Sequence, residues 1–175
     1  MSRRLQTEAI VLKRKELLDK DIVYTLFTHN EGKIKVTAKG IKSLTSKRSP
    51  HLQTGNLILC VLYKKDGFYY LQETNLKSGF SVIKKSNKKM SYLYFILFVI
   101  DRLLPENQIE EKIYESFKRF LVKLSKTESV KIKILEKYLS SLLIGLGYIN
   151  EEKNLEELHA IIQDLINEKL TFHII

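Results

Sequence analysis

Residues 7–42 constrain the fold more than any other stretch, because they contain three predicted β-strands in succession. The first two are predicted at Thr7–Lys15 and Ile22–Thr28 from their β-branched, aromatic and apolar residues. In the third, Gly32–Gly40, the apolar Ile34, Val36 and Ala38 alternate with Lys33, Lys35, Thr37 and Lys39. Successive side chains leave a strand on opposite faces, so the lysines should share one face and span roughly 20 Å. The stretch therefore predicts a meander whose last strand carries a row of cations.

Two more strands are predicted after a long polar segment at residues 41–55. They cover Asn56–Lys64 and Phe68–Asn75, and the Asp66–Gly67 pair between them is a strong hairpin signal. Five strands with the long connection between the third and the fourth match a small closed barrel of the OB type. An SH3-like barrel or an open sheet is the alternative. Residues 1–6 are expected to form a frayed basic end.

From Asn87 onward the hydrophobic period is that of helices. Apolar residues three and four apart predict helices at about Ser91–Leu104, Gln108–Leu124 and Val130–Leu146, and a fourth after Asn154, where Glu157 completes a capping-box signature. The most apolar run, Tyr92–Ile100, is far shorter than the ~20 residues that cross a membrane, so it predicts a buried core helix. The predicted fold class is α+β, with an OB-fold barrel in residues 1–80 and a small helical bundle in residues 81–175.

Positive charge is concentrated in the first half of the chain. The formal net charge is +10, and residues 1–80 hold 15 Lys and Arg against 7 Asp and Glu. Residues 81–104 hold 5 against 1, whereas residues 105–175 hold 10 against 12. A basic half beside a near-neutral half suggests a polyanion-binding module joined to a module with another role.

No pattern of catalytic or metal-binding residues is present in the sequence. The four histidines are scattered, and none has metal-ligand spacing to a second His, Cys or carboxylate. The single cysteine, Cys60, lies in an apolar run and should be a small buried residue, which excludes a disulfide within the chain and a cysteine-based zinc site. We expect a protein that is not an enzyme and that uses no metal or cofactor.

The N-terminus is charged throughout and lacks a long apolar segment, so no signal peptide is predicted. A single cysteine also fits a reducing compartment. We therefore expect a cytoplasmic location.

The basic residues of the predicted barrel form the candidate binding site. A five-stranded OB barrel binds nucleic acid across its second and third strands and the adjoining loops. The candidates are Lys13 and Arg14 (with Lys15) at the end of strand one, Lys33, Lys35 and Lys39 on strand three, and Lys42, Lys47 and Arg48 in the long segment. Aromatic side chains that could stack on bases are Tyr24, Tyr63, Phe68, Tyr69 and Tyr70, each of which is equally suited to barrel core or cross-strand pairing. The alternative for the lysine row is a solvated outer face.

Several segments, taken in order, resemble the bacterial RecO family of DNA repair proteins. They are Thr7–Leu12 (TEAIVL), Asp21–Thr28 (DIVYTLFT), Gly32–Gly40 (GKIKVTAKG), Asp101–Glu106 (DRLLPE) and Leu143–Tyr148 (LIGLGY). The resemblance implies an OB-fold followed by a helical domain, without catalytic residues. Many members of that family carry a four-cysteine zinc module after the Leu-Gly-Tyr helix, whereas here residues 149–154 lead directly into the next predicted helix without a cysteine.

The resemblance also implies a function and partners. It implies binding of single- and double-stranded DNA, annealing of complementary strands, and a recombination-mediator role of the RecF pathway type in the bacterial cytoplasm and nucleoid. Implied protein partners are RecR, the C-terminal tail of single-strand binding protein and, indirectly, RecA. The acidic tail would need basic residues beside an apolar groove, for which Lys118, Arg119, Lys123 and Lys126 are candidates. Two alternatives remain, an RNA-binding OB module and a scaffold that binds acidic tails.

Overall fold

The fold is that of a computed structural model, which describes residues 3–17, 21–39 and 49–170. The chain divides into two compact units, Met1–Phe80 with Leu104–Tyr114, and Ser81–Leu103 with Glu115–Ile175. The elements are β1 (Arg3–Glu16), β2 (Ile22–Thr28), β3 (Gly32–Ala38), a 3₁₀ turn (Ser49–Leu52), β4 (Leu57–Lys65), β5 (Phe68–Ser78), α1 (Ser81–Lys84), α2 (Asn87–Leu103), α3 (Glu111–Lys126), α4 (Ile132–Gly145) and α5 (Leu155–Ile166). The predicted α+β class, strands followed by helices, is confirmed.

In the first unit the five strands close into a barrel in the order β1-β2-β3-β5-β4. β1 pairs antiparallel with both β2 and β4, so the first strand joins the two sides of the sheet. A short parallel pairing between β3 and β5, through Val36 with Tyr69 and Thr37 with Tyr70, completes the closure. The long connection lies between β3 and β4, as the sequence predicted for a barrel of the OB type.

The barrel core consists of the inward residues of all five strands. Ile34, Val36 and Ala38 of β3 are fully buried in it, which confirms the predicted alternation of that strand. Cys60 of β4 is also in the core, and burial raises the pKa of its thiol to about 12. Cys60 is therefore an apolar packing residue, as predicted.

The expectation of a frayed N-terminus is wrong from Arg3 onward. Residues Arg3–Ile10 pair with Leu57–Lys64 of β4, so β1 begins four residues before the predicted Thr7. Arg3 and Arg4 are exposed while Leu5 points into the core. The charges at this end did not prevent strand formation because both arginine side chains stay exposed to solvent while the backbone pairs with β4.

The hairpin turn between β4 and β5 has the backbone geometry that its sequence predicted. Asp66 (φ 49°) and Gly67 (φ 83°) both adopt positive φ, as a two-residue type I′ hairpin requires. Between β2 and β3, Gly32 also has a positive φ of 72°. The Thr28 hydroxyl donates to the Gly32 carbonyl (2.8 Å) and accepts from the Glu31 N–H (3.0 Å), which fixes that connection.

The second unit is a helical assembly. α2 buries Tyr92, Phe95, Ile96 and Val99 among other side chains, which confirms the predicted core helix. The predicted capping box of α5 is present, because Asn154 accepts from the Glu157 N–H and the Glu157 carboxylate accepts from the Asn154 N–H. In residues 3–17, 21–39 and 49–170, no helix has both the length and the apolar character that a membrane span requires.

Candidate nucleic-acid interface

The strand register gathers four lysines on the outer face of β1, β2 and β3. Lys13 lies opposite Thr25, and Thr25 lies opposite Lys35. Two residues away on each strand, Lys15 lies opposite Val23, and Val23 lies opposite Thr37. Cross-strand partners share a face, and the inward neighbours of these residues on β2 and β3, Tyr24 and Val36, are in the core. Lys13, Lys15, Lys35 and Lys39 are all exposed, and we refer to them as the lysine face.

A β-bulge places Lys13 on this face. The pairing of β1 with β2 shifts between Val11 and Lys13, so Leu12 is the extra residue. Without the bulge, Leu12 would oppose Thr25 and Lys13 would lie on the inward side opposite Tyr24. The local irregularity therefore aligns the end of β1 with the lysines of β3.

Arg14 is not part of the lysine face, although the sequence grouped it with Lys13. It lies opposite Tyr24, on the other side of the strand from Lys13 and Lys15. Its guanidinium forms an ion pair with the Glu16 carboxylate. The candidates Lys42, Lys47 and Arg48 fall outside the residues that the structure describes.

Lys33 departs from the predicted row of exposed lysines, since its side chain is only 6% exposed. Residues Leu104–Tyr114, which we call the bracing segment, belong to the same unit as the barrel. Glu106 pairs with Lys33 as a parallel bridge, and the Asn107 N–H donates to the Lys33 carbonyl at 2.8 Å. The bracing segment thus pairs with the start of β3 at Lys33, whereas β5 pairs with the same strand at Val36 and Thr37. The prediction of a solvent-facing Lys33 is wrong because a segment distant in sequence covers that end of the strand.

The bracing segment also covers the apolar part of the outer barrel face. Ile10 and Phe27 are cross-strand partners on this face, and both are fully buried. Tyr114 packs edge-on against the Phe27 ring at 5.3 Å, and its hydroxyl donates to the Glu8 carboxylate at 3.1 Å. The face is therefore divided into an apolar half under Tyr114 and a basic half that is exposed.

One carboxylate lies beside the lysine face. Glu106 of the bracing segment forms an ion pair with Lys35 at 2.5 Å. No local pattern connects Glu106 with the lysine face, because it is about 70 residues from Lys35 in sequence. An anion bound at Lys35 would have to compete with this carboxylate.

A groove lined by aromatic and basic side chains adjoins the lysine face. Thr37 of β3 pairs with Tyr70 of β5, and Tyr70 pairs with Tyr63 of β4, so the row that begins at Lys15 continues onto these two rings. The ammonium of Lys39 lies 5.5 Å from the centre of the Tyr70 ring. We call this feature the tyrosine groove; it has a volume of about 330 Å³ and is lined by Thr37, Lys39, Tyr63, Lys65, Tyr70, Leu71 and Gln72.

The aromatic candidates separate into core and surface residues. Tyr24 and Tyr69 are buried in the barrel. The Tyr69 hydroxyl donates to Glu31 and accepts from Lys64, both at 2.7 Å, and burial raises the pKa of Tyr69. The hydrogen bond to Tyr69 raises the pKa of Lys64 in turn. Tyr24 and Tyr69 are structural, whereas Tyr63, Phe68 and Tyr70 reach the surface.

In the second unit the predicted tail-binding residues are divided between two grooves along α3. Arg119 and Lys123 belong to both grooves. The first, of about 430 Å³, adds Lys131, Lys133 and Lys137 around the apolar Phe120, Ile134 and Tyr138. The second, of about 460 Å³, contains Lys118 and Lys126 with Val122. The first groove combines a basic rim with an aromatic floor, and we call it the α3–α4 groove.

No cluster of three or more His, Cys, Asp or Glu that could hold a metal ion occurs within 3–17, 21–39 and 49–170. The polar groups that line the lysine face, the tyrosine groove and the α3–α4 groove are mainly cations and hydroxyls. Such surfaces suit anionic ligands.

Comparison with known proteins agrees with the architecture. Residues 1–80 match the family model described as recombination protein O N terminal. A DNA repair protein RecO of Caldanaerobacter subterraneus subsp. tengcongensis is 32% identical over 148 residues, which cover 83% of this chain and 59% of that protein. The RecO of a Thermoanaerobacter species is 29% identical over 152 residues, covering 87% and 61%. The RecO of Acetivibrio thermocellus is 28% identical over 148 residues, covering 82% and 57%.

The chain spans about three fifths of the length of these curated relatives. The family model covers the barrel strands, and the matches of 148 to 152 residues are longer than the 80 residues of that model, so they include part of the helical region as well. Residues 1–80 of the chain therefore match the N-terminal domain of RecO, and the chain is similar to RecO proteins over most of its length.

Proposed function

We propose that this chain is a non-catalytic DNA-binding and strand-annealing protein of recombinational DNA repair, acting as a recombination mediator. The observation that carries the proposal is the lysine face, where the register of three strands brings four exposed cations together. The row from Lys13 to Lys35 crosses β2 and β3, the strands on which a barrel of the OB type binds oligonucleotides. Similarity to proteins named DNA repair protein RecO supports the same role.

The lysine face would bind phosphates without reading the bases. Strands two apart in a sheet are separated by about 10 Å, and rows two residues apart by about 7 Å, so the ammonium groups form a small grid. Cations at this density neutralise a phosphate backbone and release its counterions. The proposed set of phosphate-binding residues also includes Lys42, Lys47 and Arg48, which follow Lys39 in sequence. It does not include Lys33, which is buried. Arg14 contributes less because it lies on the other side of the strand from Lys13 and Lys15.

The same charge gives a mechanism for annealing. Two complementary strands repel each other through their phosphates, and a cationic surface that contacts both screens this repulsion. The bases remain unpaired and available, because the contacts are made to the backbone. Pairing is then faster than in solution, and no chemical step is required.

The α3–α4 groove is the proposed site for the acidic C-terminal tail of single-strand binding protein. Its lysines and arginine would pair with the tail carboxylates, while Phe120, Ile134 and Tyr138 would contact an apolar side chain. Binding of this tail would bring the chain to coated single strands. Together with RecR, it would then help RecA to load on the strand.

The decisive experiment measures binding of a fluorescent single-stranded oligonucleotide against salt, with annealing of its complement in the same sample. Four phosphate contacts give a log–log slope of about −2.8, and contacts by Lys42, Lys47 and Arg48 as well would steepen it to about −5. The double variant Lys13→Ala/Lys35→Ala should reduce the slope by about 1.4 and slow annealing. The matched control is Lys77→Ala/Lys88→Ala, which removes two exposed lysines outside the lysine face.

The proposal fails if no binding occurs at low salt, or if the control pair reduces the slope as much as the face pair. Tighter binding of an RNA of the same sequence would favour the RNA-binding alternative. For the second site, Lys133→Glu/Lys137→Glu should abolish binding of a labelled tail peptide, while Lys77→Glu leaves it intact. Tail binding that persists in the first variant would exclude the α3–α4 groove.

A further inference from the structure

We propose that the tyrosine groove holds an unpaired base of a single strand, stacked on Tyr70 and Tyr63, with Lys39 and Lys65 on the flanking phosphates. The proposal rests on DNA binding by the lysine face and adds a property that this face does not have, discrimination of single-stranded from double-stranded DNA. Phe68, at the tip of the same hairpin, would add to the same contact with the single strand.

The register of the β4–β5 hairpin places these side chains together. Tyr63 pairs with Tyr70, and Lys65 pairs with Phe68 at the end of the hairpin. The two pairs are separated by two residues along each strand, so all four side chains are on one face, about 7 Å apart along the strand. The residues on either side of Tyr70, Tyr69 and Leu71, point into the core, which identifies this face as the outer one.

The barrel core does not require these aromatic rings. Tyr63 and Tyr70 are partly exposed, and Phe68 is 66% exposed. Phe68 follows the Asp66–Gly67 turn, a position where a polar residue would be equally compatible with the backbone. Exposed aromatic rings beside cations are the composition of surfaces that bind single strands, because each base stacks through its π-face whatever its identity.

Charge indicates what covers the groove. Lys39 and Lys65 line it, and no Asp or Glu is among its seven lining residues. The lysine face continues into it through Thr37, which is the neighbour of Tyr70. A phosphate backbone that crosses β2 and β3 along the lysines would therefore reach the groove, whose 330 Å³ lies within the range of small-ligand sites. These features favour a polynucleotide over an uncharged or cationic partner.

Only a single strand can use both surfaces. The phosphates of a duplex can contact the lysine face, but its bases are stacked on one another and paired. An unpaired base can leave its neighbours and place its ring on Tyr70. The aromatic rings of the groove therefore add affinity for single strands and none for duplexes.

The test compares the full-length chain with its Tyr70→Leu and Phe68→Ser variants, using a labelled oligo-dT and a labelled duplex of equal length. Tyr70→Leu should weaken binding of the single strand about tenfold and change duplex binding less than twofold. Phe68→Ser, which cannot disturb the core, should have a smaller effect of the same kind. Tyr148→Leu is the matched control, since it removes an exposed tyrosine from the second unit.

Photo-crosslinking with 5-iodouracil in the single strand supplies a second measurement, because the reagent joins to an aromatic ring on which it stacks. Crosslinks should map to peptides containing Tyr63, Phe68 or Tyr70. Crosslinks elsewhere, or equal losses of single-strand and duplex binding in Tyr70→Leu, would overturn the proposal while leaving DNA binding by the lysine face intact. If the unsubstituted chain bound neither DNA, both the groove proposal and the proposed DNA binding by the lysine face would fail. Binding of an acidic peptide instead of DNA would assign the groove to a protein partner.

Discussion

Substitution of Gly32 by alanine tests whether the bracing segment stabilises the barrel. A Cβ at Gly32 would lie 1.9 Å from the carbonyl oxygen and 2.5 Å from the carbonyl carbon of Gln108. Both are backbone atoms, so they cannot yield by a side-chain rotation. The φ of 72° also places residue 32 in the left-handed region that favours glycine. Gly32→Ala must therefore both strain the turn and displace the bracing segment.

The control is Gly67→Ala. Gly67 has a similar φ of 83°, in the hairpin between β4 and β5, and a Cβ there would meet no atom within 4 Å. Both variants carry the left-handed strain of about 1–2 kcal/mol and the same reduction in the entropy of the unfolded chain. Their difference isolates the contact with Gln108. Displacement of the segment breaks the hydrogen bond from Asn107 to Lys33 and loosens Tyr114 from Phe27, which together cost about 1–3 kcal/mol.

The measurement is urea unfolding followed by far-UV circular dichroism, with both variants and the unsubstituted chain at the same concentration. We expect Gly32→Ala to lower the free energy of unfolding by about 1–3 kcal/mol more than Gly67→Ala does. Equal effects of the two substitutions would refute the reasoning, because the contact with Gln108 would then contribute nothing. A larger effect of Gly67→Ala would contradict the assignment of the bracing segment to the barrel.

Three further outcomes follow from single side chains. Glu106→Gln should strengthen single-strand binding by at most about fivefold, because the side chains of Glu106 (42%) and Lys35 (58%) are exposed and exposed ion pairs are weak. Weaker binding of this variant in a salt titration would contradict the expectation. Cys60, whose thiol pKa is about 12, should not react with a thiol reagent at pH 8 until the chain is unfolded in urea; reaction of the native chain would show that β4 is accessible. Burial lowers the pKa of His159, so its contribution to stability is present above its unfolded pKa of about 6.5 and is lost as the pH falls through and below that value. His159→Phe should accordingly reduce the loss of urea stability between pH 7 and 5, and an unchanged pH dependence would exclude His159 as its source.

Local patterns were sufficient to predict most elements of the fold. The alternation in β3, the Asp-Gly turn and the capping box at Asn154 each depend on residues a few positions apart, and each is present in the structure. β2 has the predicted bounds, β1 and β5 are longer than predicted, β3 ends two residues earlier, and β4 is shifted by one residue. β1 begins at Arg3 because its partner is β4, which lies about 50 residues later in the sequence. No local signal distinguishes a paired basic segment from a frayed one.

The candidate site was predictable only in part, for the same reason. Lys35 and Lys39 are exposed on the strand face that their alternation indicated. The alignment of Lys13 with Lys35 depends on a bulge at Leu12, and a run of three apolar residues, Ile10 to Leu12, gives no sign of the extra residue. The burial of Lys33 depends on Glu106 and Asn107, which the helical periodicity of the second half did not connect with the barrel.

The bracing segment links two of the pieces on which the resemblance to RecO rests. Gly32–Gly40 contains the strand that carries the lysines, and Asp101–Glu106 ends at the carboxylate that pairs with Lys35. Glycine at position 32 allows the backbone of Gln108 to approach, and this approach places Glu106 beside Lys33 and Lys35. The same contact therefore buries one lysine, partly neutralises a second and leaves Lys13, Lys15 and Lys39 exposed. The binding surface is thus defined by where the bracing segment ends as much as by the strand that carries the lysines, and the Gly32 and Glu106 variants test these two effects separately.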